Sequence, residues 1–289
     1  MRDILLTIVG EAFVDTVRLL PFLFITYLVM EWLEHRTGSR TQAAIRRAGK
    51  AGPFIGGVLG IVPQCGFSVA AANLYAGGVI TAGTLIAVFL STSDEMLPIF
   101  LSYSVPIHTI LGVLALKMIF AIISGLVLDF LYHKLIRKEI RYKNIHIMCE
   151  SEHCHCEEGI FRSALRHTLQ IILFIFLITL VLNGLLTGIG AERLSSLVFQ
   201  MPVLGELLAG LVGLIPNCAA SVVITQMYLQ GVMGAGPMMT GLLASAGVGV
   251  LILCRMNKRH IKQNVLLIIF LYLASVSWGI LIDFLGIAF

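Results

Sequence analysis

The sequence predicts an all-α polytopic membrane protein made of two inverted-topology repeats, each with three transmembrane helices and one re-entrant, broken helical hairpin. Three observations lead to this prediction. The 289-residue chain is 58% hydrophobic and only 12% charged, which is far from the composition of soluble domains. Motifs of the first half recur in the second half, and the Lys and Arg residues are placed so that two proline-containing segments double back inside the membrane.

Several apolar runs are long enough to cross a bilayer. Residues 13–33, 84–101, 111–131 and 169–189 each approach or exceed the roughly 20 residues that a helix needs to cross about 30 Å of hydrocarbon. Glu11, Asp15 and Arg18 interrupt the amino-terminal segment, which therefore lacks the pattern of a cleaved signal peptide and is expected to belong to the mature protein.

A repeat of about 153 residues, the separation between Pro63 and Pro216, runs through the chain. The alignment has no gap and matches residues of several different types. Gly60, Gln64, Cys65, Ser68 and Asn73 in the first half align with Gly213, Asn217, Cys218, Ser221 and Gln226 in the second. Such a register indicates that each half is one structural repeat.

The distribution of Lys and Arg residues predicts whether segments 52–76 and 205–230 cross the membrane. If both cross, the Lys and Arg residues of the loops divide ten against eight between the two sides. If both are re-entrant hairpins, sixteen lie on one side and only Arg2 and Arg193 on the other. Because basic residues collect in cytoplasmic loops, the second arrangement is predicted. Because each half then crosses the membrane three times, the second repeat has the opposite membrane orientation to the first.

The predicted organisation has three parts: repeat 1 (1–135, hairpin about 52–76), a cytoplasmic Cys- and His-containing loop (136–162), and inverted repeat 2 (163–289, hairpin about 205–230). The protein is expected to be a multi-pass protein of the inner cell membrane, with cytoplasmic basic loops and both termini extracytoplasmic. A helix break at membrane depth is tolerated where it lines a cavity, so the two hairpin tips are predicted to form a transport site.

The hairpin tips carry matched thiol, amide and hydroxyl groups. The candidate substrate-binding residues are Gln64, Cys65, Ser68, Asn73, Asn217, Cys218, Ser221 and Gln226. Thiolates bind soft ions such as zinc, copper or trivalent arsenic, whereas amide and hydroxyl oxygens suit harder ions. The alternative is that Cys65 and Cys218 only pack, as free cysteines often do, but the duplication of the motif favours binding.

Five consecutive polar residues interrupt the apolar run before Pro98, namely Ser91, Thr92, Ser93, Asp94 and Glu95. Acids at membrane depth are costly and are functional candidates by default. The segment is therefore a candidate for ion or proton coupling, and Asp94 and Glu95 also for metal binding at the transport site. The equivalent residues 244–248 contain no acid. The alternative is that the acids form a structural pair with Lys117 or Arg18.

The central loop holds a second candidate metal site. Cys149, His153, Cys154, His155 and Cys156 lie within eight residues of one another, and such a run can bind zinc or copper. The paired spacing of a closed structural zinc site is missing, so the loop is either an exchangeable site or a solvated linker. No other cofactor is expected.

The segments IVPQCGFSVAAANLYAGGVITAGTLIAVFLSTSDEMLPI (61–99) and GLIPNCAASVVITQMYLQG (213–231) resemble a prokaryotic family of ten-transmembrane heavy-metal exporters, whose members are described as arsenic efflux proteins or manganese transporters. The resemblance also covers the HCHC loop and residues 166–186. It implies a metal or metalloid efflux permease, and six crossings plus four hairpin limbs agree with ten membrane segments.

The predicted function is secondary-active export of manganese, arsenite or another heavy metal by alternating access, with proton coupling; no enzyme activity is expected. One alternative is a permease for an organic solute or anion, because half-helix amino termini with neutral polar groups also suit anions. Another is a membrane thiol-redox or metal-sensing protein. The expected partners are the bilayer, the transported ion and, in a homodimer, a second copy of the chain; nucleic acid is not expected.

Overall fold

A computed structural model describes residues 51–61, 65–93, 96–136, 203–216, 218–287 and 289, together with single helical positions at 10, 17, 24, 25, 28, 165, 168, 169, 173, 176 and 177. At 65, 133, 135, 136, 218, 219 and 259 the description covers the backbone alone. The apolar runs 13–33 and 169–189, and the central loop, lie largely or wholly outside the described residues.

Within these ranges the protein is entirely helical. The first half contains α1 (Gly52–Leu59), α2 (Cys65–Ala76), α3 (Ala82–Ser91), α4 (Met96–Ser102) and α5 (Ile107–Ile136). The second half contains α6 (Leu204–Gly213), α7 (Cys218–Leu229), α8 (Ala235–Ala244), α9 (Gly249–Met256) and α10 (Ile261–Phe284), with a 3-10 turn at Lys258–His260. The predicted all-α class is confirmed for the described part of the chain.

The two halves repeat the same order of helices. Helices α2 and α7 both have 12 residues and α3 and α8 both have 10, and each pair is separated by the repeat interval found in the sequence. The packing repeats too, because α1 packs on α3 and α3 on α5, while α6 packs on α8 and α8 on α10.

Four stretches are long and apolar enough to cross a membrane: Ala82–Ser102, Ile107–Tyr132, Ala235–Met256 and Ile261–Phe284. The first and third are 75% and 83% buried, whereas the second and fourth are 39% and 33% buried. The broken spans α3–α4 and α8–α9 therefore form the centre of the described bundle, and α5 and α10 lie at its periphery.

The exposed faces of α5 and α10 are apolar stripes. Large exposed side chains recur at every fourth residue or nearly so, at Ile107, Leu111, Ile119, Ile123 and Val127 on α5 and at Ile261, Val265, Ile269, Leu273 and Leu281 on α10. In water such stripes would be unfavourable, but in a bilayer they meet lipid tails. The surface thus agrees with the membrane assignment.

Small residues allow the helices of each half to approach closely. A Cβ atom at Gly125 of α5 would lie 2.5 Å from the backbone oxygen of Gly83 in α3. In the second half a Cβ atom at Gly213 of α6 would lie 2.2 Å from the backbone oxygen of Gly241 in α8. Close backbone approach at small residues is a main source of helix association in membranes.

The halves meet along α5 and α10 as well. The indole Nε1 of Trp278 on α10 donates a hydrogen bond of 2.8 Å to Ser124 Oγ on α5. The same indole stacks on Phe120, with ring centroids 4.2 Å apart and planes inclined by 12°. Trp278 thus makes both a hydrogen bond and an aromatic stacking contact with α5. These contacts hold the outer helix of one half against the outer helix of the other.

The amino termini of the two central helices are held in the same way. The backbone N–H of Gly83, in the first turn of α3, donates to Asp129 Oδ1 at 2.8 Å, and that of Gly236, in the first turn of α8, donates to Asp283 Oδ1 at 2.8 Å. A carboxylate near a helix amino terminus satisfies N–H groups that lack a partner within the helix and faces the positive end of its dipole.

The glycine contact between α3 and α5 can be tested within one helix. Replacing Gly125 by alanine should lower stability by about 1 to 3 kcal/mol, because the added methyl group meets a backbone atom that cannot move independently. At Gly112, also on α5, a Cβ atom would have nothing within 4 Å. Gly112→Ala should be neutral or slightly stabilising, because alanine favours the helix. Thermal unfolding of both variants in detergent gives the comparison, and equal midpoints would contradict the packing account.

Candidate functional site

Each proline–amide–cysteine motif falls between two helices. Helix α1 ends at Leu59 and α2 begins at Cys65, and α6 ends at Gly213 and α7 begins at Cys218. Proline lacks a backbone N–H and disrupts the helix before it, which accounts for the break on local grounds. Pro63, Gln64 and Asn217 lie outside the described residues.

A second break interrupts each central span. Helix α3 ends at Ser91 and α4 begins at Met96, and α8 ends at Ala244 and α9 begins at Gly249. Asp94 and Glu95, which stand between α3 and α4 in the sequence, lie outside the described residues. The sequence analysis marked this polar segment but predicted no helix end there. Backbone groups freed by such a break need partners at membrane depth.

The halves cover each other's breaks reciprocally. Helix α2, which begins at Cys65, packs on α9 of the other half, and α7, which begins at Cys218, packs on α4 of the first. A Cβ atom at Gly249, the first residue of α9, would lie 2.8 Å from Ser68 Cβ. Ser68 is thus placed against the start of α9, at the end of the α8–α9 break.

Most of the described candidate residues are buried polar groups. Ser68, Asn73, Ser91, Thr92, Ser93 and Ser221 are each at most 2% exposed. Gln226 is half-buried. The side chains of Cys65 and Cys218 are outside the described set. The structure therefore places the described hydroxyl candidates and Asn73 inside the helix bundle, on α2, α7 and the end of α3.

Three hydroxyls at the end of α3 have different partners. Ser91 Oγ donates to Ala87 O at 2.8 Å and Thr92 Oγ1 to Val88 O at 2.6 Å, so both bond to their own helix. Hydroxyls on membrane helices often do this. Ser93 Oγ instead donates to Ile61 O at 2.7 Å. This bond ties the α3–α4 break to the chain just before the Pro63 motif.

Ser245 occupies the position in the second half that Thr92 occupies in the first. Its side chain is 3% exposed, and its hydroxyl has no hydrogen-bond partner among the described residues. A buried hydroxyl without a partner costs about 1 to 3 kcal/mol. The group is thus available to a ligand at the α8–α9 break.

Lys117 joins the two central spans. Its ammonium is fully buried, and Nζ donates to Thr92 O at 2.5 Å and to Leu242 O at 2.9 Å. Both carbonyls belong to carboxyl-terminal ends, of α3 and α8 respectively, where the last carbonyls lack partners within the helix and carry partial negative charge. The carboxyl termini of one helix from each half therefore converge on a single cation.

Helix α5 thus supplies groups for both ends of α3, because Asp129 bonds its amino terminus and Lys117 its carboxyl terminus. In the second half α10 supplies Asp283 for α8, but near the position equivalent to Lys117 it has Phe270 and Leu271. The carboxyl terminus of α8 is served by the lysine of the first half instead.

Sequence reasoning missed part of this arrangement. Lys117 was considered only as a partner for the acids, Ser245 only as a repeat position, and Glu206 not at all. One rule could have identified all three residues from the sequence. A polar or ionisable residue within an apolar membrane segment needs a specific partner or a function. The central-loop candidates Cys149, His153, Cys154, His155 and Cys156 lie outside the described residues.

The first two thirds of the chain match a known protein family. Residues 1–194 match a family model described as "Putative, 10TM heavy-metal exporter". The chain belongs to this heavy-metal exporter family. The match includes the first helix-break motif, the α3–α4 break and the central loop, and it ends before the second motif at Pro216. No curated protein and no solved structure matches the chain significantly.

Membership of this exporter family makes the protein a membrane transporter, and it confirms the family resemblance drawn from the sequence. The four apolar spans place the chain in a bilayer as a multi-pass protein. Its partners are accordingly lipid and a transported ion.

The bridging lysine generates a stability prediction. Lys117→Met removes the donor to Thr92 O and Leu242 O and should lower stability by about 2 kcal/mol, because buried carbonyls lose a charged partner. Lys134→Met alters an exposed lysine on the same helix and should change stability by less than about 0.5 kcal/mol. Thermal unfolding in detergent measures both. An unchanged or raised midpoint for Lys117→Met would show that the two hydrogen bonds contribute no net stability.

Proposed function

We propose that this member of the heavy-metal exporter family is a secondary-active transporter that moves a metal or metalloid out of the cytoplasm by alternating access. The main support for the proposal is that the carboxyl-terminal ends of α3 and α8 both bond to Lys117. The helix breaks after α3 and α8 lie next to this lysine, and each is packed against a helix of the other half. The Lys117 ammonium already meets the partial negative charge of these two carboxyl termini, so the transported ion would bind beside them, at the breaks. A membrane transporter commonly places its ion site at such paired helix breaks.

The two repeats are inverted in this proposal, with 52–76 and 205–230 as re-entrant hairpins and the basic loops in the cytoplasm. The positive-inside distribution supports it, as does the reciprocal packing of α2 on α9 and α7 on α4, which suits two halves related by a pseudo-two-fold axis. Alternating access would then be a movement of one half against the other. The homodimer stays a prediction.

Labelling with a membrane-impermeant thiol reagent tests the topology. Single cysteines introduced at residues 40, 141 and 258, in a background without native cysteines, should all react from the cytoplasmic side only, because all three positions lie in basic loops. Reaction of position 141 from the opposite side to the other two would mean that segments 52–76 and 205–230 cross the membrane, and would reject the inverted arrangement.

The transported ion would bind groups from both hairpin tips. Cys65 and Cys218 supply thiols, Gln64 and Asn217 amides, and Ser68 and Ser221 hydroxyls, with Asn73 and Gln226 further along α2 and α7. Thiolates suit arsenite and soft metals, and the oxygen groups suit manganese. The orphan hydroxyl of Ser245 adds one further ligand candidate at the α8–α9 break.

Asp94 and Glu95 are the proposed ion- or proton-coupling acids, with Ser91, Thr92 and Ser93 in the same segment. Support comes from Lys117, whose ammonium lies at the carbonyl of Thr92, two residues before Asp94. The positive charge of Lys117 would offset part of the negative charge of the two acids when no metal is bound. Cys149, His153, Cys154, His155 and Cys156 are a proposed exchangeable zinc or copper site, which metal analysis of the purified protein can assess.

Metal flux in proteoliposomes tests the central proposal. Wild-type protein should transport Mn²⁺ or arsenite faster than empty vesicles. A Cys65→Ser, Cys218→Ser variant should lose arsenite transport by about tenfold or more if the thiols bind the substrate. Cys254→Ser is the matched control, because Cys254 is exposed on α9 and should transport normally. Absence of flux for every metal tested, with transport of an organic anion, would instead favour the anion permease.

A second arm of the assay tests coupling. With an imposed pH gradient, wild-type flux should increase, and an Asp94→Asn, Glu95→Gln variant should lose this increase because amides cannot exchange a proton. Normal acceleration by the gradient in that variant would reject the coupling role of the two acids. Thiol titration before and after transport distinguishes the redox alternative, since a transporter needs no change in thiol oxidation state.

A further inference from the structure

Glu206 is a buried acid outside the site described above. It stands in the first turn of α6, it is 1% exposed, and its Oε2 atom has no hydrogen-bond donor among the described residues. Ionised, such an oxygen would be an acceptor without a donor in a low-dielectric environment. This oxygen is therefore unfavourable when the carboxyl group is ionised, and the simplest ligand that removes the charge is a proton.

A second carboxyl group meets Glu206. Asp283, near the end of α10, accepts the backbone N–H of Gly236 through Oδ1 at 2.8 Å, which fixes it at the amino terminus of α8. Its side chain lies within hydrogen-bonding reach of the Glu206 carboxyl group. Asp283 is exposed whereas Glu206 is buried, so the pair leads from the surface of the protein into its interior.

A hydrogen bond between two carboxyl groups requires a proton. Carboxylates only accept, so two ionised groups repel and cannot bond, whereas one proton between them makes one group a donor to the other. When the proton is bound the contact holds the start of α6 to the end of α10, and when the proton leaves the contact becomes repulsive.

The first half contains the same contact without the second acid. Asp129 Oδ1 accepts the N–H of Gly83 at 2.8 Å, and Asp129 Oδ2 accepts the hydroxyl of Thr81 at 2.8 Å. In the second half Gly234 occupies the Thr81 position, and Glu206 aligns with Pro53. A permanent hydroxyl donor in one half is thus replaced by a titratable carboxyl group in the other.

The Glu206 carboxyl group accepts the backbone N–H groups of Val203 and Glu206 at the start of α6, but no full positive charge is described beside the pair. Helix α6 packs on α7, α8 and α10. Among their described side chains, the neighbours that titrate are Tyr272, whose hydroxyl donates to Leu207 O at 3.0 Å, and Tyr228, whose hydroxyl donates to Phe289 O at 2.7 Å. Lys262, at the other end of α10, is about 30 Å away along the helix. Arg255, Lys258 and His260 precede it in the chain, and no titratable side chain is described on α8.

We propose that Glu206 and Asp283 form a proton-binding pair that takes up and releases one proton in each transport cycle. This rests on the proposed export function, and in the proposed topology the pair lies at the extracytoplasmic ends of α6, α8 and α10. Because α6 leads directly to the Pro216–Asn217–Cys218 motif, protonation would lock that motif's helix against α10. Deprotonation would release it.

Infrared spectroscopy of the full-length protein in lipid tests the shared proton without any transport. Wild-type protein at neutral pH should show a carbonyl band of a protonated carboxyl group, and Glu206→Gln should lose it. The glutamine amide can still donate to Asp283, so this variant should fold. Asp129→Asn alters the equivalent cap in the first half and should keep the band. Persistence of the full band in Glu206→Gln would overturn the proposal, as would its absence from the wild type.

Flux measurements test the second step. Glu206→Gln should still carry metal down its own gradient but should lose acceleration by a pH gradient, whereas Asp129→Asn should keep it. Acceleration equal to that of the wild type in Glu206→Gln would overturn the exchange of this proton during transport. If the wild type carries no metal at all, the proposed function fails, and the infrared band alone still decides whether the pair holds a proton.

Discussion

Backbone groups inside a bilayer need partners, and this requirement shapes every contact described around the two central spans. Both spans are broken, α3 before α4 and α8 before α9, so each exposes carbonyl groups at a helix end. Lys117 donates to one carbonyl of each. The remaining surface of each break is covered by the cysteine-initiated helix of the other half, α2 on α9 and α7 on α4. Packing between the halves therefore covers both breaks, in addition to the packing of α2 on α3 and of α7 on α8 within each half.

The duplicated framework carries unequal chemistry. Glycine contacts, the lengths of α2 and α3 against those of α7 and α8, and the Asp cap at the start of each central helix recur in both halves. Four other ionisable groups do not recur, since Lys117, Asp94 and Glu95 belong to the first half and Glu206 to the second. The two halves therefore share a backbone arrangement but offer different polar groups at their breaks.

Local sequence features predicted the elements well. Pro63 and Pro216 marked helix breaks because proline removes a backbone donor, and α2 and α7 begin just after them at Cys65 and Cys218. The polar segment at Ser91 was recognised from its cost in an apolar run, although the helix end there was not. Ser91 and Thr92 bond to their own helix, Ser91 also donates to Gly56 O of α1 at 3.5 Å, and Ser93 donates to Ile61 O. Hydropathy identifies an unusual residue, but it does not say which partner satisfies it.

The sequence alone determined the membrane class, the duplication and the family, because composition, register and motif are properties of the chain read in order. Only the tertiary structure decided which half covers which break, that Lys117 serves two helix ends 150 residues apart in the chain, and that Glu206 meets Asp283. These pairings join residues far apart in the chain whose side chains have no periodic signature. Their partners are set by helix packing, and helix packing depends on where small residues let two backbones approach.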